Sequence, residues 1–221
     1  MAKSGLLKSS IAKKVAMALS GLFLMLFLAQ HFLINMTSVI SADLFNAISH
    51  FMGTNPLIQF VIQPILIVGV IFHFIMGFVL TFQNNSARPI GYARYNGAAN
   101  ASWASRNMII SGSVILAFLG LHFYDFWVPE IVYKYVDVLP AQETRYYHEL
   151  TEKFVSPVRT ALYCLSFILL SLHLQHGFSS SFQSVGANNK YTKGMKNFGI
   201  WFSIIVPLGF VFIAIFHHFN H

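Results

Sequence analysis

Four histidines sit deep inside long apolar runs of this chain: His31, His73, His122 and His173. An ionisable side chain in such surroundings is costly and rare, so its presence points to a function. Imidazole there can ligate a metal, relay a proton or hydrogen-bond across helices. The flanking residues narrow the choice. MALSGLFLMLFLAQHF, ending at His31, and MIISGSVILAFLGLHF, ending at His122, carry Met, Ser-Gly and His-Phe at the same internal spacing. HFIMGFVLTFQ from His73 and HLQHGFSSSFQ from His173 share H-x-x-x-G-F-x-x-x-F-Q. His31 therefore matches His122, His73 matches His173, and His176 falls opposite Met76. A lone intramembrane histidine is commonly a hydrogen-bonding residue; four in two matched pairs point to a cofactor.

Depth decides what the pairs can hold. Successive spans run in opposite directions, so the first and third carry their histidines late toward one face, and the second and fourth carry theirs late toward the other. Two bis-histidine layers result, about 10 Å apart when counted from the expected helix ends at 1.5 Å per residue. Zinc takes four ligands at one point, which histidines at two depths do not supply. Haem iron takes two axial ligands, offered by facing helices of a bundle. The pattern therefore predicts two stacked b haems, with His31 and His122 on one iron and His73 and His173 on the other. Gly77 and Gly177 stand four residues after a ligand, on its helical face, where the missing side chain leaves room for a porphyrin plane. Close helix packing is the other use of such glycines.

These residues need helices long enough to carry them. The chain of 221 residues is 56% hydrophobic and 10% charged, whereas a soluble domain holds about 25% charged residues. Five stretches, 15–39, 57–82, 107–128, 157–182 and 198–219, meet the roughly 20 apolar residues needed to span a bilayer. The first has an apolar run too long for a signal peptide and no small-x-small cleavage site, so it reads as a retained helix. The expected fold is an all-α integral membrane protein forming one membrane domain over 1–221. Its first four spans build the haem-binding bundle, and short interfacial helices lie outside. SADLFNAISHFM has helical apolar spacing with Ser41 as a cap, and PEIVYKYVDVLPAQETRYYHELTEKFVSP mixes aromatic and charged residues as a second interfacial segment.

Lys3, Lys8, Lys13, Lys14, Arg88, Arg94, Arg106, Lys190, Lys193 and Lys196 fall on one side of the spans, and Lys134, Arg145, Lys153 and Arg159 on the other with all the acids. Cytoplasmic loops collect Lys and Arg, so the N-terminus is expected inside, in the cell's inner (cytoplasmic) membrane. The net charge of +7 is then a topology signal, and its scatter over three segments argues against nucleic acid. His31 and His122 become the outer haem's ligands, and His73 and His173 the inner haem's. His176, a turn beyond His173, is placed either to hydrogen-bond an inner propionate or to serve as an ordinary interface histidine, and Arg88, Arg94 and Arg106 are inner-side cations that can pair with propionates. His217, His218 and His221 have no partner helix in register and read as interfacial. The single cysteine, Cys164, excludes a disulfide within the chain, a Cys-ligated iron–sulfur cluster and a c-type haem attachment.

QHF at 30–32, the paired His-x-x-x-Gly motifs and FNAISHFMGTNP after the first span give a family likeness. The chain resembles the two-haem cytochrome b membrane-anchor subunit of succinate dehydrogenases and fumarate reductases, in the form where one five-helix chain replaces two smaller anchors. The resemblance covers nearly the whole chain, and the four-histidine pattern is its most specific part. It implies a subunit of respiratory complex II with no flavin or dicarboxylate site of its own. A flavoprotein subunit and an iron–sulfur subunit would dock on its cytoplasmic face, His73 and His173 would hold the haem nearer the iron–sulfur subunit, and the electron acceptor would be a quinone, menaquinone by preference. Near the outer haem, His50, Asn46 and Asp125 are the quinone candidates, with solvated or capping roles as their alternative. Some fumarate reductases carry a glutamate where this chain has Ser171, and no span interior is expected to hold Asp or Glu. That departure argues against a carboxylate proton route. Two other readings stay open: the haem-bearing quinone-reducing subunit of a hydrogenase or formate dehydrogenase, and a haem-free transporter or scaffold.

Overall fold

A computed structural model describes residues 9–86, 107–186 and 189–220. Helix α1 spans Ser10–Ile40 and α2 Ala42–Thr54. Helix α3 opens with a wide π-helical turn, Ile58–Ile62, and continues as Gln63–Ser86. Helix α4 runs over Met108–Val136, α5 over Arg145–Val155, α6 over Pro157–Ser184 and α7 over Thr192–Phe219. No strand occurs among the described residues. Helices α1, α3, α4, α6 and α7 are long and apolar enough to cross a membrane, so this is an all-α, multi-pass membrane protein.

Local sequence explains the helix ends and irregularities. Ser41 Oγ accepts from Leu44 N at 3.3 Å and caps α2. Ser156 Oγ accepts from Arg159 N, with Pro157 in the first turn of α6 where its missing N–H costs nothing. The expected third span ended at 128, but α4 continues to Val136 through π-helical turns at Phe123–Trp127 and Val132–Val136. The wide turns Ile58–Ile62 and Phe123–Trp127 come just before Pro64 and Pro129. A proline cannot donate to the carbonyl one turn back, and a widened turn absorbs the mismatch.

Burial is uneven around the bundle. The most apolar stretch of α3 has no residue buried inside the protein, whereas 39% of that of α7 is buried. The main core joins Phe45, Leu150, Phe154, Tyr163, Phe167, Val206, Phe210, Ile213 and Ala214, so α7 is wedged against α6 and α1 with α2 and α5 closing one end. Two glycines permit this approach. A Cβ on Gly209 would stand 2.3 Å from the Phe32 ring of α1, and one on Gly199 2.3 Å from the Phe178 ring of α6. Gly209→Ala is expected to lower stability by about 1–3 kcal/mol, as overpacking does. Thermal melting in detergent checks this, and adding Phe32→Leu should recover part of the loss.

At the end of the bundle far from the N-terminus, a polar knot ties α2, α4 and α5 together. Arg145, 8% exposed, donates to Glu130 and to Glu149 Oε1 (2.7 Å), with its guanidinium carbon 4.1 Å and 4.4 Å from the ring centres of Tyr133 and Tyr146. Lys134 pairs with Glu130 at 2.5 Å and donates to the Gly53 carbonyl. Burial works against the Arg145 cation, but the hydrogen bonds and charges of Glu130 and Glu149 outweigh it and raise its pKa above the ordinary value.

Candidate functional site: two histidine pairs

The structure brings His73 of α3 to His173 of α6, ring centres 6.5 Å apart and planes at 71°. Each ring is held by the other member of its repeat. Ser20 Oγ lies 3.0 Å from His73 Nδ1, and Ser111 Oγ lies 3.1 Å from His173 Nδ1. A Cβ on Gly21 would be 3.5 Å from His73 Cε1, and one on Gly112 3.5 Å from His173 Cε1. The repeated Ser-Gly thus packs on the repeated His, hydroxyl against the ring nitrogen and bare backbone along the ring edge. The repeated methionines complete the match: Met17 Cε is 3.6 Å from the Cβ position of Gly77, and Met108 Cε 3.6 Å from that of Gly177.

The second pair lies deeper toward the far side. His31 of α1 and His122 of α4 have ring centres 5.8 Å apart, nearly perpendicular at 87°. Their surroundings are aromatic: Phe27 stacks on His31, Phe210 lies 5.7 Å from it, and Phe118, Phe126 and Tyr163 surround His122. His122 Nδ1 is buried with no hydrogen-bond partner among the described residues. Ser20 and Ser111 mark the level of the first pair on α1 and α4, and His31 and His122 each come eleven residues later. The levels are therefore about 16 Å apart along the helix axes, more than the 10 Å expected. That expectation placed the helix ends level, whereas the serine contacts fix the register directly.

The pairs suit an ion that takes two protein ligands. A metal–imidazole bond is about 2.0 Å, so two rings on one ion have centres roughly 6.3 Å apart; the observed 6.5 Å and 5.8 Å lie on either side. No three His, Cys, Asp or Glu side chains converge on a common point among the described residues. A flat macrocycle fits better than a four-ligand ion, because beside Gly77 and Gly177 it would displace only flexible methionine ends.

No family model, curated protein or solved structure matches this chain. Its chemistry has to be read from the side chains themselves.

The other candidates are scattered. His176 is half-buried one turn past His173 and makes no hydrogen bond with the described residues. Arg88, Arg94, Arg106 and His221 lie outside the described residues. Among the quinone candidates, Asn46 is buried and its Oδ1 accepts from Tyr147 N at 2.8 Å, a clamp between α2 and α5. His50 packs on Tyr146, with Nε2 3.9 Å from Glu143 and Nδ1 buried without a hydrogen-bond partner among the described residues. Asp125 is 2% exposed; its Oδ2 accepts from Tyr163 at 2.8 Å, and Arg159 Nη1 is 3.0 Å from Oδ1. No hydrogen bond or ion pair among the described residues joins these three. The expectation of spans free of acids is corrected here: Asp125 lies within α4, because the helix continues past it and α6 supplies partners. His217, expected to have no partner helix, has one. It is fully buried, with Nε2 2.8 Å from Ser38 Oγ, because α7 returns beside α1. His218 Nδ1 donates to the Phe154 carbonyl at 2.7 Å.

Sequence reasoning missed Ser20, Ser111 and Tyr163. The serines were visible in the repeat, whereas Tyr163 had no signal before the helices were packed.

Proposed function

We propose that this chain is the cytochrome b subunit of a succinate:quinone oxidoreductase, holding two b haems and anchoring the catalytic subunits to the cytoplasmic membrane. The observation that carries the haem reading is the pairing of four histidines from four helices into two facing sets, each at a spacing one iron can bridge. The succinate type rests on the sequence resemblance. Haem supplies one-electron transfer at each level. The chain's own work is to orient two imidazoles per level, to exclude water with apolar and aromatic walls, and to keep the levels stacked across the membrane. The iron–sulfur and flavoprotein subunits would meet the N-terminal face, and menaquinone the far side near His31 and His122, with His50 or Asp125 exchanging its protons.

The absorption spectrum of the purified full-length chain, made with ample haem, tests this. Two bis-histidine haems per chain, with sharp reduced bands, are expected; a colourless protein overturns the reading and favours a transporter or scaffold. Co-purification with a flavoprotein that oxidises succinate separates this subunit from that of a hydrogenase or formate dehydrogenase.

A further inference from the structure

The two histidine levels differ in what stands behind the rings. At the level nearer the N-terminus both Nδ1 atoms face a serine hydroxyl, at 3.0 Å and 3.1 Å. Each hydroxyl has one proton and directs it to a carbonyl in the preceding turn: Ser20 to Met17 O at 2.8 Å, and Ser111 to Met108 O at 3.0 Å. With that proton committed, the oxygen meets the imidazole as an acceptor, and the imidazole must carry its own proton on Nδ1. Nε2 is then the unprotonated, ligating nitrogen on both rings. At the other level no hydroxyl among the described residues plays this part: His122 Nδ1 has no hydrogen-bond partner among them, and Asn35 Nδ2, 3.4 Å from His31 Nδ1, donates to the His31 carbonyl at 2.8 Å.

We infer that Ser20 and Ser111 are positioning residues that select the metal-binding tautomer of His73 and His173 and raise the basicity of those two ligands alone. This rests on the haem reading above and adds to it a difference between the two sites. An acceptor behind the distal nitrogen of a ligating histidine orients the ring and increases its donor strength, and losing such a partner weakens metal binding roughly 10–100-fold. A more basic ligand favours the ferric ion, so the hydroxyls hold the potential of this haem down. Gly21 and Gly112 belong to the same device, because the bare backbone beside each serine lets the ring edge approach.

The test uses the full-length chain carrying Ser20→Ala, Ser111→Ala or both, with redox titration of each haem and haem-release measurements. The expected result is about tenfold weaker retention of the His73–His173 haem and a higher midpoint potential for it, with the other haem unmoved. Ser→Thr at both positions keeps the acceptor and should restore wild-type behaviour. Ser→Cys keeps the size with a weaker acceptor and should shift like Ala, which serves if the alanine variants fail to fold. Ser113→Ala, on the same helix with its hydroxyl on the Ile109 carbonyl, is the control and should change nothing. Two haems with unchanged potentials and retention in the Ala or Cys variants overturn the inference while leaving the haem reading intact, and equal shifts at both haems overturn it as well. A wild-type chain without haem overturns the haem reading itself.

Discussion

Replacing His122 by alanine is expected to take the chain from two haems to one. On the haem reading, removing one imidazole leaves its partner His31, 5.8 Å away ring to ring, as the remaining histidine of that pair in an aromatic pocket. His31→Ala should give the same product, since both belong to one level. His73→Ala and His173→Ala should lose the other haem, each leaving the His31–His122 haem spectrally unchanged, because about 16 Å of helix separates the levels. The complementary pattern of losses, read as haem per chain and as the surviving band, is the signature of the two pairs. His176→Ala should retain both haems, with at most a changed environment at the nearer one. Two intact bis-histidine haems in any of the four single variants would sink the assignment of ligands.

Asp125→Ala is expected to be the most damaging change outside the histidines, costing about 3 kcal/mol. Its side chain is fully buried, and its carboxylate serves two groups at once, the Tyr163 hydroxyl and the Arg159 guanidinium. Removing it leaves the phenol without its acceptor in a core where Tyr163 is 2% exposed, and an unmet buried hydroxyl costs about 1–3 kcal/mol by itself. Arg159 loses its counter-charge but is one-third exposed (33%) and can turn to water, which keeps the total near the lower end for a broken buried pair. Joint replacement, Asp125→Leu with Arg159→Leu, should be milder than the single change, because no unpaired charge remains. Thermal melting in detergent measures both. The Tyr163 ring stands 6.4 Å from His122, so the far-side haem should be released first on heating Asp125→Ala. A melting temperature equal to wild type would show that the triad holds nothing together.

The places where the chain and its fold agree, and where they part, have one cause. Helix-forming runs, the Ser41 cap, the matched repeats and the alternation of span direction are local or pairwise properties of the residues. His31, His73, His122 and His173 stand out because an imidazole among leucines and phenylalanines is conspicuous wherever the helices pack. The faces of the helices were not readable in this way. In a soluble protein an apolar stripe marks the buried side, but lipid is as apolar as a protein interior, so α3, with no buried residue in its apolar stretch, and α7, with 39% buried, look alike as strings of letters. Hence His217 showed no partner helix in the sequence and is fully buried against α1, and the spans read as free of acids although Asp125 lies within α4, locked to α6.

By itself, then, the amino-acid order determined five apolar helices and a two-fold repeated set of histidines, glycines and serines. Packing alone decided that each repeated serine meets the imidazole of the neighbouring helix in its own half at Nδ1, that the two levels lie eleven residues apart, and that α7 closes the bundle against Phe32 and Phe178. Hydropathy and helical period act along one chain segment, whereas distances between helices arise from side chains that meet only after assembly.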